Sequence, residues 1–169
     1  MAALRAEPHF TPAEYLARER AAEIESEYID GAIVATSGAG RNHSRITGNI
    51  ARVLGNQVVD RECEVYSADM RVRAAIRRPA YLYPDVVMTC SEQQLEEQML
   101  DTLLNPTVIV EVLSPSTERY DRGKTFMYYR AIESRQEYLL IARTPCRSNT
   151  TSGRARVGCC RNGTGWPIR

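Results

Sequence analysis

Two carboxylates stand inside apolar strand-like runs of this 169-residue chain: Asp85 in Tyr83-Pro84-Asp85-Val86-Val87-Met88, and Glu111 in Val110-Glu111-Val112-Leu113. Burying an unpaired carboxylate is unfavourable, so each needs an arginine, a hydrogen-bond network or a metal ion. A structural ion pair explains either acid alone. Two acids brought together on neighbouring strands repel one another, and a bound divalent cation removes that repulsion. A third group stands out by count: of 22 basic residues 21 are arginine, and the only lysine is Lys124. A position that keeps lysine in such a chain points to a need for a compact point charge with an adjustable pKa, against the plain alternative of chance. Lys124 lies 13 residues after Glu111. It is expected on the helix that follows that strand, from where it could reach back to the strand's carboxyl end. The competing reading is a solvated surface lysine.

Three further residues are candidates. Glu27 ends the first helix or opens the hairpin after it, where it could add a metal-directed carboxylate or simply face solvent. Asp69, in Ser67-Ala68-Asp69-Met70-Arg71, is an acid in a strand that could face substrate or pair with Arg71 or Arg73. His43 sits at a helix start, as a polar cap or as a substrate contact.

These residues must be positioned by the elements around them. Thr11-Pro12-Ala13-Glu14 reads as a capping box with Pro in the first turn, starting a helix expected to run to Ser26 with Tyr15, Leu16 and Ile24 as its apolar positions. Residues 27–35 read as a hairpin turning at Asp30-Gly31. A helix over 43–58 buries Ile46, Ile50, Val53, Leu54 and Val58 at helical spacing. Strands are expected over 64–75 and 81–89, with Arg77-Arg78-Pro79 in the turn between them. Residues 91–101 are polar, acid-rich and expected at the surface. The run 107–113 is the most apolar strand, Ser114-Pro115-Ser116-Thr117 breaks it, a helix covers 119–133, and a last strand covers 137–142. That order predicts a mixed sheet with helices packed on it.

Composition bounds the rest. Hydrophobic residues make up 43% and charged residues 25%, ordinary for one globular domain. No apolar run approaches the roughly 18 residues that span a bilayer, and the N-terminus lacks the apolar centre of a signal peptide, so a cytoplasmic location is expected. Cys63 and Cys90 lie alone in the body of the sequence, Cys146, Cys159 and Cys160 cluster near its end, and no CxxC pair indicates zinc or redox chemistry. Residues 143–169 carry six arginines and no acid, which leaves 16 basic against 21 acidic residues in 1–142. A net of −5 there counts against a nucleic-acid-binding module that works by charge alone. A boundary is therefore drawn at 142: a folded domain over 1–142 and an atypical Arg/Gly/Cys-rich segment over 143–169. That segment reads as a disordered tail or as out-of-frame translation, and its three cysteines and lack of acids favour the second.

The segments 25–31 (ESEYIDG), 67–72 (SADMRV), 83–87 (YPDVV), 101–107 (DTLLNPT), 110–117 (VEVLSPST), 120–124 (YDRGK) and 136–141 (QEYLLI), in this order and spacing, closely resemble the bacterial Uma-two family of the restriction-endonuclease-like, PD-(D/E)XK superfamily. The resemblance implies an α/β (α+β) fold with a central mixed β-sheet flanked by helices. It also implies a nuclease that cleaves phosphodiester bonds, with DNA as the expected partner and Mg²⁺ or Mn²⁺ as cofactor. Pro-Asp falls on Pro84-Asp85 and the (D/E)XK acid on Glu111, the two expected metal ligands. The superfamily's lysine position is Leu113, so Lys124 becomes the candidate for a migrated lysine. Glu27 matches the acid many superfamily members carry near the first helix. Past Ala142 the resemblance stops. A homodimer is a fold-level expectation. The rival expectation is a non-catalytic member of the same fold that binds nucleic acid or protein, and a third is hydrolysis of another phosphoester.

Overall fold

The computed structural model describes residues 9–36, 38–96 and 101–142, and the backbone of 156–159. Its first helix, α1 (Pro12–Glu19), opens with the expected capping box: Glu14 N donates to Thr11 Oγ1 at 3.2 Å, and Thr11 N donates to the Glu14 carboxylate at 2.8 Å. The helix stops seven residues short of Ser26. Glu19 is buried and its carboxylate accepts from Ser26 N at 2.8 Å, which turns the chain into β1 (Ser26–Ile29). Ile24, expected in the helix's apolar stripe, is instead 72% exposed. β1 and β2 (Ala32–Ala35) form the hairpin, with Asp30 at φ 54° and Gly31 at φ 90°, as the two-residue turn demands. α2 (Arg41–Gln57) follows, packing Leu54, Ile46, Ile50 and Ala51 on a sheet face.

The two long strands expected over 64–75 and 81–89 are each broken. They form β3 (Glu64–Ser67), β4 (Arg71–Ala75), β5 (Pro79–Leu82) and β6 (Val86–Thr89). β3 pairs with β6 and β4 with β5, both antiparallel. Between the two ladders four residues (68–71) face three (83–85), so one strand carries an extra residue, as in a β-bulge. Ala68 takes φ 63° there, and its N–H donates to Asp85 O at 3.1 Å, tying the two bends together. The hairpin thus passes from one sheet into another, and the expected single sheet is two mixed five-stranded sheets.

The remaining elements are β7 (Thr102–Leu103), β8 (Val108–Val112), α3 (Glu118–Tyr120), a π-helical turn (Asp121–Thr125), α4 (Phe126–Tyr129), β9 (Glu137–Ala142) and β10 (Arg156–Cys159). The first sheet runs β2-β1-β5-β4-β7 and the second β10-β9-β8-β6-β3, with β8, β9 and β10 parallel. β7 was not expected: Thr102 and Leu103, directly after the acid-rich stretch 91–101, are buried and pair with β4. Alternation along β8 sends Val108, Val110 and Val112 to the α2 face and Ile109 and Leu113 to the main core between the sheets. Tyr128, Tyr129 and Ile132 close that core from the helical side. A separate aromatic cluster stacks Tyr15, Tyr28 and Tyr81 under α1.

Cys63 and Cys90 do not lie alone. They stand one step beyond the last β3–β6 pair, Glu64↔Thr89, and are joined as a disulfide. Strand pairing brings together two residues whose separation in sequence, 27, carries no pairing signal. β10 extends the second sheet past the compositional boundary at Ala142. The reading of 143–169 as disordered or out of frame otherwise falls outside the described residues. Among the described residues no helix is long and apolar enough to cross a membrane.

Candidate active site

The break between β5 and β6 that redirects the chain also places Asp85. Its Oδ2 accepts from Val112 N at 2.6 Å and lies 3.2 Å from His43 Nε2. His43, in the first turn of α2, is therefore no cap, a place taken by Gly40. Glu111 follows the β8 alternation onto the face of Ile109 and Leu113, so its carboxyl points into the main core and is 8% exposed. Asp85 and Glu111 interact there, and the Asp85 charge pushes the Glu111 carboxyl up. Glu27, on β1, shares the face of core residue Ile29 and accepts from Tyr83 N and Tyr120 Oη, both at 3.4 Å.

A fourth carboxylate completes the group. Asp121 opens the π-helical turn, is 7% exposed, and interacts with Asp85 and His43. An acid near a helix start ordinarily reads as a surface residue complementing the dipole, so its burial leaves no mark in the sequence. The one available signal was the segment 120–124, which carries both Asp121 and Lys124. A π-turn within an α-helical run is uncommon and often marks a functional site.

The electrostatics are those of acids crowded out of water. Glu111 lies well above its ordinary 4.5, first through burial and then through repulsion from Asp85, Asp121 and Glu27. Burial lifts Glu27 to about 7, opposed by the Tyr83 N–H and reinforced by Asp121. Burial lifts Asp121 to about 6, opposed by a hydrogen bond from Thr117. Asp85 is raised by burial, against the pull of Val112 N–H and His43. Glu111 is thus the acid of the Asp85–Glu111 pair that holds a proton most firmly.

Lys124 does not join this group. It is half-exposed, and its Nζ lies 3.3 Å from Asp30 Oδ2 at the hairpin tip, where Tyr128 Oη also donates to Asp30 Oδ1 at 2.6 Å. Asp69 sits in the bend after β3 and lines an open cleft with Glu19, Glu25, Arg71, Tyr83 and Asp101. The pairs considered for it are formed by others: Arg71 with Asp101 at 2.8 Å and Arg73 with Glu96 at 2.9 Å. Tyr83 separates the two regions, its backbone N–H toward Glu27 and its hydroxyl 3.0 Å from Glu19.

The donor set of Asp85, Glu111, Glu27 and Asp121 is all hard oxygen, the type that suits Mg²⁺ or Mn²⁺. Its surplus negative charge is what a divalent cation would relieve. Among the described residues no three His, Cys, Asp or Glu side chains already stand in a metal-holding arrangement. The Asp85 carboxylate is turned toward Val112 N–H and His43.

The sequence matches the Uma2 family, described as "Putative restriction endonuclease", over residues 12–160, beyond Ala142, where the resemblance was expected to stop. Two Synechocystis proteins are similar along most of their length. Uncharacterized protein sll1609 is 41% identical over 131 residues, 78% of this chain and 73% of that protein. Uncharacterized protein slr1290 is 36% identical over 137 residues, 81% and 70% of the two chains. Among solved structures, a putative nuclease from Anabaena variabilis shares the fold with a TM-score of 0.60 at 22% identity, covering 77% of this chain and 72% of its own.

Proposed function

Because this chain belongs to the Uma2 family of putative restriction endonucleases, we propose that it is a Mg²⁺- or Mn²⁺-dependent nuclease hydrolysing phosphodiester bonds in DNA. The observation that carries this reading is the convergence of Glu27, Asp85, Glu111 and Asp121 in one water-poor place, with their protonation raised by burial and by one another. A fold gains nothing in stability from such a group, which makes it a candidate for chemistry.

Asp85 and Glu111 would hold the cation, with Glu27 and Asp121 as further oxygen donors. A divalent ion so held supplies Lewis acidity and offsets charge on the phosphate. The protein's own groups do the positioning. Val112 N–H and His43 Nε2 fix the direction of the Asp85 carboxylate. Tyr83 N–H and Tyr120 Oη hold Glu27. Lys124, exposed beside Asp30, offers an ammonium to a phosphate oxygen of bound DNA.

The test is cleavage of plasmid DNA with Mg²⁺ or Mn²⁺ by the wild type, Asp85→Ala and Glu111→Ala, each checked for fold by circular dichroism. Cleavage by the wild type alone supports the assignment; cleavage retained by either folded variant rejects it.

One observation favours the second reading, a non-catalytic member of the same fold: Lys124 pairs with Asp30 rather than with the four carboxylates. Calorimetric titration with Mn²⁺ separates the two, since the absence of binding at millimolar concentration supports the non-catalytic protein. Size-exclusion chromatography with light scattering tests the expected homodimer.

A further inference from the structure

The two bonds that hold the Asp85 side chain fall on one oxygen. Val112 N donates to Oδ2 at 2.6 Å, and His43 Nε2 lies 3.2 Å from the same atom. A carboxylate oxygen offers two lone-pair directions, so Oδ2 is fully engaged and Oδ1 is the oxygen left for a ligand. The backbone at Asp85 is fixed as well, its carbonyl accepting from Ala68 N at 3.1 Å. The residue is thus clamped from two elements, the end of β8 and the start of α2.

His43 reaches Oδ2 from the third residue of α2. Ile46, Ile50 and Leu54 anchor that helix on the sheet, in the cluster that also holds Val112. Toward an ionised Asp85 the ring must present its proton from Nε2, which leaves Nδ1 as a lone-pair acceptor. Nδ1 is buried and has no hydrogen-bond partner. Roughly nine in ten buried polar groups are paired, and an orphan is unfavourable. Packing gives no reason for a ring nitrogen there; the bond that Nε2 makes to Asp85 does.

We infer that His43 is a positioning residue for the cation: together with Val112 N–H it occupies Asp85 Oδ2, and so leaves Oδ1 as the Asp85 oxygen that meets the metal. The inference rests on the metal-dependent reading above and deepens it, by assigning the ligating oxygen and the side chain that selects it. Outer partners of this kind orient ligand oxygens, and their removal weakens metal affinity by roughly 10–100-fold.

The experiment compares His43→Gln, His43→Asn and His43→Ala by calorimetric titration with Mn²⁺, with the thermal midpoint in EDTA as the check of fold. A glutamine Nε2 stands as far along its side chain as the imidazole Nε2, and an asparagine Nδ2 only as far as Nδ1. His43→Ala and His43→Asn are expected to lose about 10–100-fold in Mn²⁺ affinity, and His43→Gln to recover most of that loss. Glutamine against asparagine, two amides of one chemistry, decides the question even where alanine unfolds. A merely structural histidine would shift the midpoints and leave the affinity of each folded variant at the wild-type value, which overturns the inference alone. An affinity lost equally in the glutamine and asparagine variants overturns it too. A wild type that binds no Mn²⁺ overturns the metal-dependent reading, and this inference with it.

Discussion

Substituting Glu27 by glutamine isolates the energetic consequence of the carboxylate group without changing its shape. The Glu27 carboxyl is raised from an ordinary 4.5 to about 7, first by burial. At 1.36 kcal/mol per tenfold change in proton affinity, the ionised side chain destabilises the fold by about 3 kcal/mol. The sign follows from which state holds the proton. Between pH 4.5 and about 7 the folded chain keeps a proton that the unfolded chain has released. The contribution to stability is therefore full below pH 4.5 and is lost as pH rises through 7. Glutamine does not titrate, and its amide oxygen can still accept from Tyr83 N, the bond the carboxylate makes at 3.4 Å. In EDTA, Glu27→Gln should match the wild type near pH 4.5 and exceed it by up to about 3 kcal/mol at pH 8, roughly 6–12 °C in the thermal midpoint for a chain of this size. Urea or thermal unfolding at pH 4.5, 6, 7 and 8 reads the divergence. A variant displaced from the wild type by the same amount at every pH would refute the claim that a buried, destabilised ionisation sits at this position.

Other consequences can be measured on the same protein. Mn²⁺ should raise the wild-type thermal midpoint more at pH 8 than at pH 5.5, because fewer ligand protons remain to be displaced; an effect independent of pH would count against carboxylate ligands. Reducing the Cys63–Cys90 bond, or replacing both cysteines by serine, opens a loop spanned by 27 positions and should lower stability by about 3–4 kcal/mol in urea melts. Ala68→Gly relieves a left-handed backbone at φ 63° and should stabilise by about 1 kcal/mol. If it destabilises, the extra residue between the two ladders is not where the pairing registers place it.

The sequence was most legible where local chemistry and burial agree. The Thr11–Glu14 box, the Asp30-Gly31 turn, the stripe of α2 and the apolar runs of β8 and β9 all say locally what the fold does globally. It was least legible where the chain changes sheets. Neither 64–75 nor 81–89 contains a glycine, and the left-handed residue at the break is Ala68, not the glycine that would announce it. The same break delivers Asp85, so Pro84-Asp85 was readable as a motif while the bend that aims it was not. Asp121 and the disulfide were hidden for a related reason. Each depends on elements distant in sequence becoming neighbours, and neither has a local pattern that marks it.

The charge balance of the site bears on what it awaits. Arg20 and Arg71 pair with Asp101, Arg73 with Glu96, Arg122 with Glu118 and Lys124 with Asp30. All five cations of these ion pairs thus face acids other than the four that converge on Glu111. Around Glu111 the opposing groups are His43 and single hydrogen-bond donors, and the carboxyls respond by holding protons. Protons neutralise such a group only below the elevated pKa values, whereas a divalent ion does so throughout the neutral range and gains affinity as those protons leave. On the proposed reading the four acids would hold the cation and the exposed Lys124 ammonium would meet a phosphate on a separate face, so Asp85→Ala is expected to bind DNA and fail to cut it.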